Sequence, residues 1–418
     1  MDRFVVKGPC RLNGTVNISG AKNAVLPLIT AALLAKGRSV IENVPDLKDV
    51  TTMIRLLRML GADVDFDKSV LTINTENVDK VEAPYDLVRT MRASIYVLGP
   101  LVAAYQKARV SLPGGCAWGP RPIDLHLMAM EKLGADITLD HGYIQASAKR
   151  LKGNEIVFPI ASVGATAQVL MAASLAEGTT TIKNAAMEPE VTELAKALNT
   201  AGAKIEGMDT ATLVVQGVDE IQPFHYRVIP DRIEAGTFAA AAVATGGQIT
   251  IADCSADHLG AVTDALKTCG AAIESEGDHV RVSGPERIEA IHLVTAEYPG
   301  FPTDMQAQMM AVLARANGIS TVKDTIYPDR FTHVPELRRL GAQIRLDGNL
   351  AVITGVKELD GAPVMATDIR ASSALIIAAL AASGRTDISR VYHIDRGYER
   401  IEEKLRALGA EIERISES

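Results

Sequence analysis

Two kinds of helical pattern alternate along this chain, with short strand-like stretches between them. From Val50 to Leu60, apolar residues recur every three or four positions, which is the spacing of a helix with one buried face. The other kind is rich in alanine and apolar on nearly every side, as in NAVLPLITAALLAKG and ASSALIIAALAASG. Helices of this second kind are typical of a domain interior. Stretches such as SVIENV and QITIADC follow them and predict strands.

A short phrase occurs six times and divides the chain into repeats. LGADV, beginning at Leu60, ends the first amphipathic helix, and the related phrases are LGADI, AGAKI, CGAAI, LGAQI and LGAEI. Their glycines follow one another at spacings of 68 to 73 residues and are Gly61, Gly134, Gly202, Gly270, Gly341 and Gly409. Because glycine readily adopts the left-handed conformation that ends a helix, each phrase predicts a helix C-terminus. We therefore predict six repeats, each of the order β-α-β-α-β-β.

The repeats also predict how the chain packs. An α/β repeat of this kind buries its alanine-rich helix only if several repeats close around it, with sheets outside and helices inside. Three repeats per domain and two domains are the simplest closure, with a boundary near residues 226–230. A chain of 418 residues is also longer than one ordinary core requires, so more than one domain is expected.

Composition excludes several classes of function. A net charge of -8 and an aromatic content of 4% argue against a general nucleic-acid binder. We find no targeting segment and no uncharged apolar run of about 18 residues, so we expect a cytoplasmic protein without membrane contact. The four cysteines and eight histidines are scattered without metal-ligand spacing, which predicts free thiols and no metal site.

Charged residues recur at the starts of the apolar helices. Lys22, Arg92 and Arg370 hold this position in three different repeats. A cation at a helix N-terminus opposes the helix dipole, so its recurrence indicates an anion shared by the dipole and the side chain. Asp304 and Asp368 stand at two other helix starts, where simple capping is an alternative explanation. The pattern indicates a phosphate site at one rim of each domain.

Several long motifs carry a family likeness. They are SGAKNAVLPLITAALLA, TMRASIYVLGPLVA, LPGGCAWGPRPIDLH, SVGATA, FPTDMQAQ and HIDRGYERIEEKLRALGAEI. Together they resemble the UDP-N-acetylglucosamine 1-carboxyvinyltransferase family of enolpyruvyl transferases, from the first strand to the last helix. The resemblance implies an α/β fold of two inverse α/β barrel domains, each of three units in a pseudo-threefold arrangement. It places residues 21–229 in one domain and residues 1–20 with 230–418 in the other, with the active site in the cleft between them.

The resemblance also implies a reaction. It is transfer of the enolpyruvyl group of phosphoenolpyruvate to the 3-hydroxyl of UDP-N-acetylglucosamine, with release of phosphate, at the first step of peptidoglycan precursor synthesis. The partners are these two small molecules, and no cofactor is implied. Asp304 matches the base that takes the hydroxyl proton, and Cys116 matches a loop cysteine that protonates the methylene carbon and reacts with fosfomycin. Lys22 and Arg396 complete the implied catalytic set.

Substrate contacts are implied by the same motifs. The residues that match those around the anionic groups of phosphoenolpyruvate are Lys22, Arg92, Arg121, Arg370 and Arg396. The segment that encloses the uracil continues from Arg121 with Pro122, Ile123, Asp124 and Leu125. The diphosphate turn is Ser162, Val163 and Gly164, and the sugar contacts are Asn23, Ile326 and Tyr327. Two further residues, expected close to these, are Arg330 and Asp368.

One local departure and two alternatives remain. Where some relatives place a lysine just before the diphosphate turn, this chain reads FPIASVG. One alternative is 5-enolpyruvylshikimate 3-phosphate synthase, which shares the six-unit architecture but is not expected to have SGAKNA or the cysteine loop. The other is a non-catalytic paralogue that binds a UDP-sugar, and the presence of Cys116, Asp304 and Arg396 argues against it.

Overall fold

The computed structural model describes residues 2–89, 91–112 and 123–416, with only the backbone of Arg92. The chain divides into two compact units. The first unit is Gly20–Ile229, and the second unit combines Met1–Ser19 with Pro230–Ser418. Each unit has its own core of buried apolar side chains.

Twenty-four strands are assigned within the described residues. In chain order they are β1 (Arg3–Gly8), β2 (Asn13–Asn17), β3 (Arg38–Glu42), β4 (Asp63–Asp67), β5 (Val70–Asn74), β6 (Glu82–Ala83), β7 (Lys107–Ser111), β8 (Asp136–Asp140), β9 (Tyr143–Ser147), β10 (Glu155–Val157), β11 (Thr179–Lys183), β12 (Lys204–Glu206), β13 (Thr212–Gln216), β14 (His225–Arg227), β15 (Gln248–Ala252), β16 (Ala272–Glu276), β17 (His279–Ser283), β18 (His292–Val294), β19 (Ile319–Lys323), β20 (Gln343–Asp347), β21 (Leu350–Thr354), β22 (Pro363–Met365), β23 (Gly384–Ser389) and β24 (Glu411–Ile415).

The helices alternate with these strands. In chain order they are α1 (Lys22–Ala31), α2 (Lys48–Leu60), α3 (Tyr85–Val88), α4 (Leu98–Tyr105), α5 (Asp124–Lys132), α6 (Val163–Ala173), α7 (Pro189–Thr200), α8 (Arg232–Thr245), α9 (Gly260–Thr268), α10 (Gln306–Leu313), α11 (Val334–Arg339), α12 (Ile369–Ala381) and α13 (Ile401–Ala407). Short 3-10 helices lie at Ala32–Leu34, Arg92–Val97, Ala256–Leu259, Thr303–Met305 and Val391–Arg396. In the part of the chain that the structure describes, no helix combines the length and the hydropathy that crossing a membrane requires.

The strands form six four-stranded sheets in the described residues, three in each unit. The orders in the first unit are β14-β3-β5-β4, β6-β7-β9-β8 and β10-β11-β13-β12. Those in the second unit are β16-β17-β15-β2, β18-β19-β21-β20 and β22-β23-β1-β24. In every sheet one parallel pair adjoins two antiparallel pairs, as in β10 with β11, β11 with β13 and β13 with β12. The third repeat, from β10 to β13, runs β-α-β-α-β-β, so the predicted order is confirmed there.

Three sheets are completed by strands that are distant in sequence. β1 lies between β23 and β24, antiparallel to both. β2 pairs with β15, and β14 pairs with β3, both in parallel. The first repeat therefore takes its parallel edge strand from the end of the first unit, and the N-terminal strands complete two sheets of the second unit.

The alanine-rich helices fill the interior of each unit. In the second unit α8, α10 and α12 contact one another, and every residue of α10 is buried. In the first unit α6 contacts both α1 and α4. Such helices can be apolar on all sides because other helices and the sheets surround them. The predicted arrangement, with helices inside and sheets outside, is confirmed.

The amphipathic helices end at the predicted glycines. Gly61 follows α2 with a φ of 106°, and its amide donates to the carbonyl of Arg58. The other five repeat glycines also have positive φ, between 86° and 99°. Residues with a Cβ adopt this conformation only with strain, so glycine is the residue that ends these helices at low cost.

Candidate active site

Asp304 is held by two arginines in the second unit. It lies in the 3-10 turn Thr303–Met305, directly before the inner helix α10. Its Oδ1 is 2.7 Å from Nη1 of Arg330, and its Oδ2 is 2.7 Å from Nη2 of Arg370. Both arginine side chains are 6% exposed, whereas the Asp304 side chain keeps 26% of its surface exposed. The carboxylate is therefore oriented by two charge-assisted contacts and still reachable.

The two arginines determine the protonation state of Asp304. Burial alone would raise the pKa of its carboxyl group, but the charges of Arg370 and Arg330 outweigh burial and hold this pKa well below its usual range. For Arg370, burial would lower the pKa, and the facing Asp304 carboxylate more than reverses that effect. Asp304 is consequently an ionised carboxylate at neutral pH.

A buried hydroxyl group supports the second arginine. Arg370 donates from Nη1 to the Tyr398 hydroxyl at 3.2 Å, and this hydroxyl lies 2.8 Å from Oγ1 of Thr237. Gln308 donates from Nε2 to the backbone carbonyl of Asp304 at 2.9 Å. Arg396 ends the 3-10 helix Val391–Arg396, two residues before Tyr398, and is half-buried. Tyr398 thus ties the segment that carries Arg396 to the Arg370 side of the Asp304 cluster.

The remaining predicted residues of the second unit lie around the same cluster. Arg330 donates from its backbone to the carbonyl of Tyr327 at 3.0 Å, and its guanidinium is 5.7 Å from the centre of the Tyr327 ring. Ile326 is in the same turn. Asp368 caps α12, since its Oδ1 accepts from the backbone amides of Arg370 and Ala371. Capping is therefore the role of Asp368 in this structure, and a substrate contact stays a prediction.

In the first unit, Lys22 faces a carboxylate. It is the first residue of α1, and its Nζ is 2.9 Å from Oδ2 of Asp49, in a pair whose side chains are 12% and 5% exposed. Asn23 follows it and is half-buried. The sequence predicted that cations at helix starts share an anion. In the structure, Lys22 pairs with Asp49 and Arg370 pairs with Asp304. The phosphate site at these helix starts stays a prediction.

Two other predicted segments of the first unit lie against each other. Ser162 caps α6 by accepting from the backbone amide of Ala165 at 3.3 Å, and Val163 and Gly164 begin this helix. A Cβ added at Gly164 would lie only 3.0 Å from Nε2 of His126, so glycine permits this close approach. His126 belongs to α5, which begins at Asp124, next to Ile123 and Leu125. The predicted uracil segment and the predicted diphosphate turn are thus neighbours.

His126 also links these segments by hydrogen bonds. Its Nδ1 is 2.9 Å from Oε1 of Gln168, and Nε2 of Gln168 donates to the backbone carbonyl of His126 at 3.2 Å. Both side chains are buried, so the pair is shielded from competing water. The pair holds α5 and α6 in a defined relation.

Some predicted residues fall outside the described part of the chain. Cys116, Arg121 and Pro122 lie in residues 113–122, and the side chain of Arg92 is not described. Their predicted roles stay predictions. The other three cysteines are described and are free thiols, namely Cys10, Cys254 and Cys269. Burial raises their pKa values to about 11, 12 and 12, respectively, so they are protonated near neutral pH.

Sequence reasoning missed several residues of the site. Asp49 stands beside Lys48 in NVPDLKD, but nothing local shows that it faces Lys22. Tyr398 is part of the DRGYER motif, yet its contact with Arg370 joins segments far apart in the chain. Gln168 and His126 are polar residues in apolar helical stretches. Because buried polar groups need hydrogen-bond partners, their positions could have indicated a buried pair.

Two units of three α/β repeats, with charged side chains at the starts of their inner helices, define the enolpyruvyl transferase class of fold. The family model for EPSP synthase (3-phosphoshikimate 1-carboxyvinyltransferase) matches residues 6–405, and the chain belongs to this enolpyruvyl transferase family. A protein of Myxococcus xanthus named UDP-N-acetylglucosamine 1-carboxyvinyltransferase is 52% identical and aligns over 99% of each chain. A protein of the same name from Geobacter metallireducens is 53% identical and aligns over 100% of each. The resemblance indicated by the sequence motifs is confirmed.

Solved structures agree on the fold. The enolpyruvyl transferase NikO from Streptomyces tendae matches with a TM-score of 0.90 and 27% identity, covering 100% of this chain and 99% of that one. EPSP synthase from Acinetobacter baumannii matches with a TM-score of 0.77 and 19% identity over 100% of both chains, which shows a common fold alone. The predicted fold class of two inverse α/β barrel domains is confirmed.

Proposed function

We propose that this protein transfers the enolpyruvyl group of phosphoenolpyruvate to the 3-hydroxyl of UDP-N-acetylglucosamine and releases phosphate. The observation that carries the proposal is identity of 52% and 53% over essentially the whole chain to relatives named UDP-N-acetylglucosamine 1-carboxyvinyltransferase. This reaction commits the sugar nucleotide to peptidoglycan precursor synthesis. The proposal includes a cytoplasmic location, because substrates with several phosphate and carboxylate charges do not cross a bilayer unaided.

The reaction brings several negative charges to one site. Phosphoenolpyruvate carries a phosphate and a carboxylate, and the sugar nucleotide adds a diphosphate. We assign the phosphoenolpyruvate groups to the cationic residues that match the family motifs, namely Lys22, Arg92, Arg121, Arg370 and Arg396. Of these, Lys22 and Arg370 already face carboxylates at 2.9 and 2.7 Å, so their ammonium and guanidinium groups are positioned before any substrate binds.

Asp304 is assigned the removal of the hydroxyl proton. In the addition step the 3-oxygen of the sugar bonds to the carbon of phosphoenolpyruvate that bears phosphate, while the methylene carbon gains a proton. The elimination step then removes a proton from that carbon and expels phosphate. A carboxylate with a depressed pKa is a weak base, so Asp304 accepts the proton effectively only as the new carbon–oxygen bond forms. Its fixed orientation between Arg330 and Arg370 supports this role.

The two alternatives are not favoured. Sequence identity to the EPSP synthase of Acinetobacter baumannii is only 19%. It is 52% and 53% to the two relatives whose names give UDP-N-acetylglucosamine as the acceptor. The presence of Cys116, Asp304 and Arg396 argues against a non-catalytic paralogue. The proposal therefore takes the sugar nucleotide as the acceptor.

A phosphate-release assay tests the choice of acceptor. The purified protein is incubated with phosphoenolpyruvate and either UDP-N-acetylglucosamine or shikimate 3-phosphate. We expect phosphate release with the sugar nucleotide and none above background with shikimate 3-phosphate. Release with shikimate 3-phosphate alone would refute the proposal, and release with neither would favour a binding protein.

Cysteine labelling tests the assigned loop cysteine. We expect fosfomycin to form one covalent adduct, at Cys116, because an epoxide reacts with a thiolate and burial keeps Cys10, Cys254 and Cys269 protonated. Peptide mass spectrometry of protein treated with and without UDP-N-acetylglucosamine measures the adduct. The variant Cys116→Ser is the control and should remain unlabelled. An adduct on Cys10, Cys254 or Cys269, or no adduct at saturating sugar nucleotide, would contradict the assignment.

A further inference from the structure

A carboxylate outside the predicted site organises the loop that follows β19. Asp324 is fully buried, and its two oxygens accept four hydrogen bonds. Oδ1 accepts from the backbone amides of Ile326 and Tyr327 at 3.0 and 2.8 Å and from the Thr295 hydroxyl at 2.9 Å. Oδ2 accepts from the Thr303 hydroxyl at 2.7 Å. These four donors are neutral groups, and they satisfy both buried carboxyl oxygens from two directions.

The contact with Thr303 leads directly to Asp304. Because the Thr303 hydroxyl donates its proton to Asp324, its oxygen is left to accept, and it accepts from Nη1 of Arg330 at 3.1 Å. The same Nη1 lies 2.7 Å from Oδ1 of Asp304. Thr303 therefore engages one side of this nitrogen and leaves the other directed at the Asp304 carboxylate.

The other contact leads to the turn that carries Ile326 and Tyr327. Two backbone amides of this turn donate to Asp324, and the carbonyl of Tyr327 then accepts from the backbone of Arg330. Asp324 consequently holds both ends of the loop from residue 324 to residue 330. At the start it accepts from the backbone amides of Ile326 and Tyr327, and at the end it reaches the Arg330 guanidinium through the Thr303 hydroxyl.

We infer that Asp324 is a positioning residue that sets the Ile326–Tyr327 turn and the Arg330–Asp304 pair in one fixed relation. The inference rests on the proposed function, in which this turn contacts the sugar and Asp304 takes the proton of its hydroxyl. Asp324 touches no substrate in this scheme. Its effect is to place the sugar hydroxyl within reach of Asp304. Such positioning raises the reaction rate by a large factor, and a misplacement of about 1 Å loses much of that gain.

An amide cannot replace the carboxylate in this position. In Asp324→Asn, the amide nitrogen would face either the Thr303 hydroxyl or the backbone amides. In the first case the amide nitrogen donates to the Thr303 hydroxyl oxygen. The hydroxyl proton then has no acceptor, and the hydroxyl oxygen must accept from both the amide and Arg330. In the second case the amide nitrogen faces the backbone N–H groups of Ile326 and Tyr327. All of these are donors, so both hydrogen bonds are lost and the turn is broken. Both arrangements leave a buried polar group without its partner.

The test compares four variants with the wild type in steady-state kinetics. We expect Thr303→Val to lower kcat about 10-fold with KM for UDP-N-acetylglucosamine within threefold, because only the path to Arg330 is cut. Asp324→Asn should lower kcat about 10-fold or more and also raise this KM about 10-fold. The double variant should lose no more kcat than Asp324→Asn, since both substitutions break one path. Thr303→Ser keeps the hydroxyl and should retain kcat within threefold.

Controls separate positioning from loss of structure. KM for phosphoenolpyruvate and the melting temperature are measured for every variant. We expect this KM to change little, whereas Asp324→Asn should lower the melting temperature because it leaves a buried polar group without its partner, so kinetics are measured where every variant is folded. Asp347→Asn, at an exposed aspartate that ends β20, is the matched control and should behave as the wild type. If Asp324→Asn does not fold, the Thr303→Val and Thr303→Ser pair decides the question by itself.

Three outcomes would overturn the inference. They are a Thr303→Val enzyme with wild-type kcat, kcat losses that multiply in the double variant, and an equal rise in KM for both substrates. Wild-type protein that releases no phosphate with UDP-N-acetylglucosamine would overturn the proposed function itself. Wild-type turnover with unaffected variants would instead remove only the role of Asp324.

Discussion

Replacement of Asp304 by alanine is expected to lower kcat by about 10²- to 10⁴-fold, which is the usual contribution of a positioned general base. The Kd for UDP-N-acetylglucosamine should stay within a few-fold of the wild type, because the proton is transferred only in the reaction. Coupled phosphate release measures kcat, and titration calorimetry measures the Kd. The structural reason is that this carboxylate is ionised, reachable and oriented by Arg330 and Arg370.

The matched control is a second aspartate of the same unit that has no role in the site. Asp264 is exposed on α9, and Asp264→Ala should keep wild-type kcat. Removal of Asp304 also leaves two buried guanidinium groups facing each other, so the melting temperature is measured in parallel. A folded Asp304→Ala enzyme with kcat within a few-fold of the wild type would reject the role of base.

Replacement of Lys404 by methionine is expected to cost the second unit about 3–5 kcal/mol of unfolding free energy, since it strands a buried charge. Nζ of Lys404 lies 2.7 Å from Oε1 of Glu234 and donates to the Ser19 hydroxyl at 2.8 Å. The Glu234 side chain is only 2% exposed. Its Oε2 accepts from the backbone amide of Ser19 at 2.8 Å. Urea unfolding followed by circular dichroism measures the loss.

The pH dependence of this loss has a definite sign. Burial raises the pKa of Glu234 despite the opposing charge of Lys404, and removal of Lys404 raises it further. A carboxyl group whose pKa is higher in the folded state than in the unfolded state favours folding at low pH, and this contribution disappears as pH rises through the folded pKa. The cost of Lys404→Met should therefore be larger at pH 8 than at pH 5.

A surface lysine provides the control for this second prediction. Lys7 pairs with Glu411 at 3.9 Å, with side chains 66% and 72% exposed. Because solvent screens such a pair, Lys7→Met should change the unfolding free energy by less than about 1 kcal/mol. Glu234→Gln in the Lys404→Met background should recover part of the loss. Equal losses at pH 5 and pH 8 would contradict the role given to Glu234.

Much of the fold could be predicted because its signals are local. The three-and-four spacing from Val50 to Leu60 corresponds to α2, and Gly61 ends that helix with positive φ. Backbone sterics act within a few residues, so a glycine after a helical stripe shows its effect in the sequence. The exchange of edge strands is different, because β1 pairs with β23 and β24 at the other end of the chain.

Candidate site residues could also be proposed from the sequence, but their partners in the structure could not. Lys22, Asp304 and Arg370 could be recognised from helix starts and family motifs. The sequence did not reveal that Asp49 faces Lys22, nor that Arg370 and Arg330 share Asp304. Asp304 and Arg370 are 66 residues apart, and only the packing of α10 beside α12 brings them together.

The amino-acid sequence alone determined the six repeats, their helix ends, the buried character of the alanine-rich helices and the family. These properties depend on side-chain periodicity and on backbone conformation, which are set by neighbours in the chain. Only the tertiary structure decided which charges meet, and hence that Asp304 is ionised and that Asp324 reaches it through Thr303 and Arg330. The physical reason is that electrostatic and hydrogen-bond energies depend on distances in space, which arise only when separate repeats pack together.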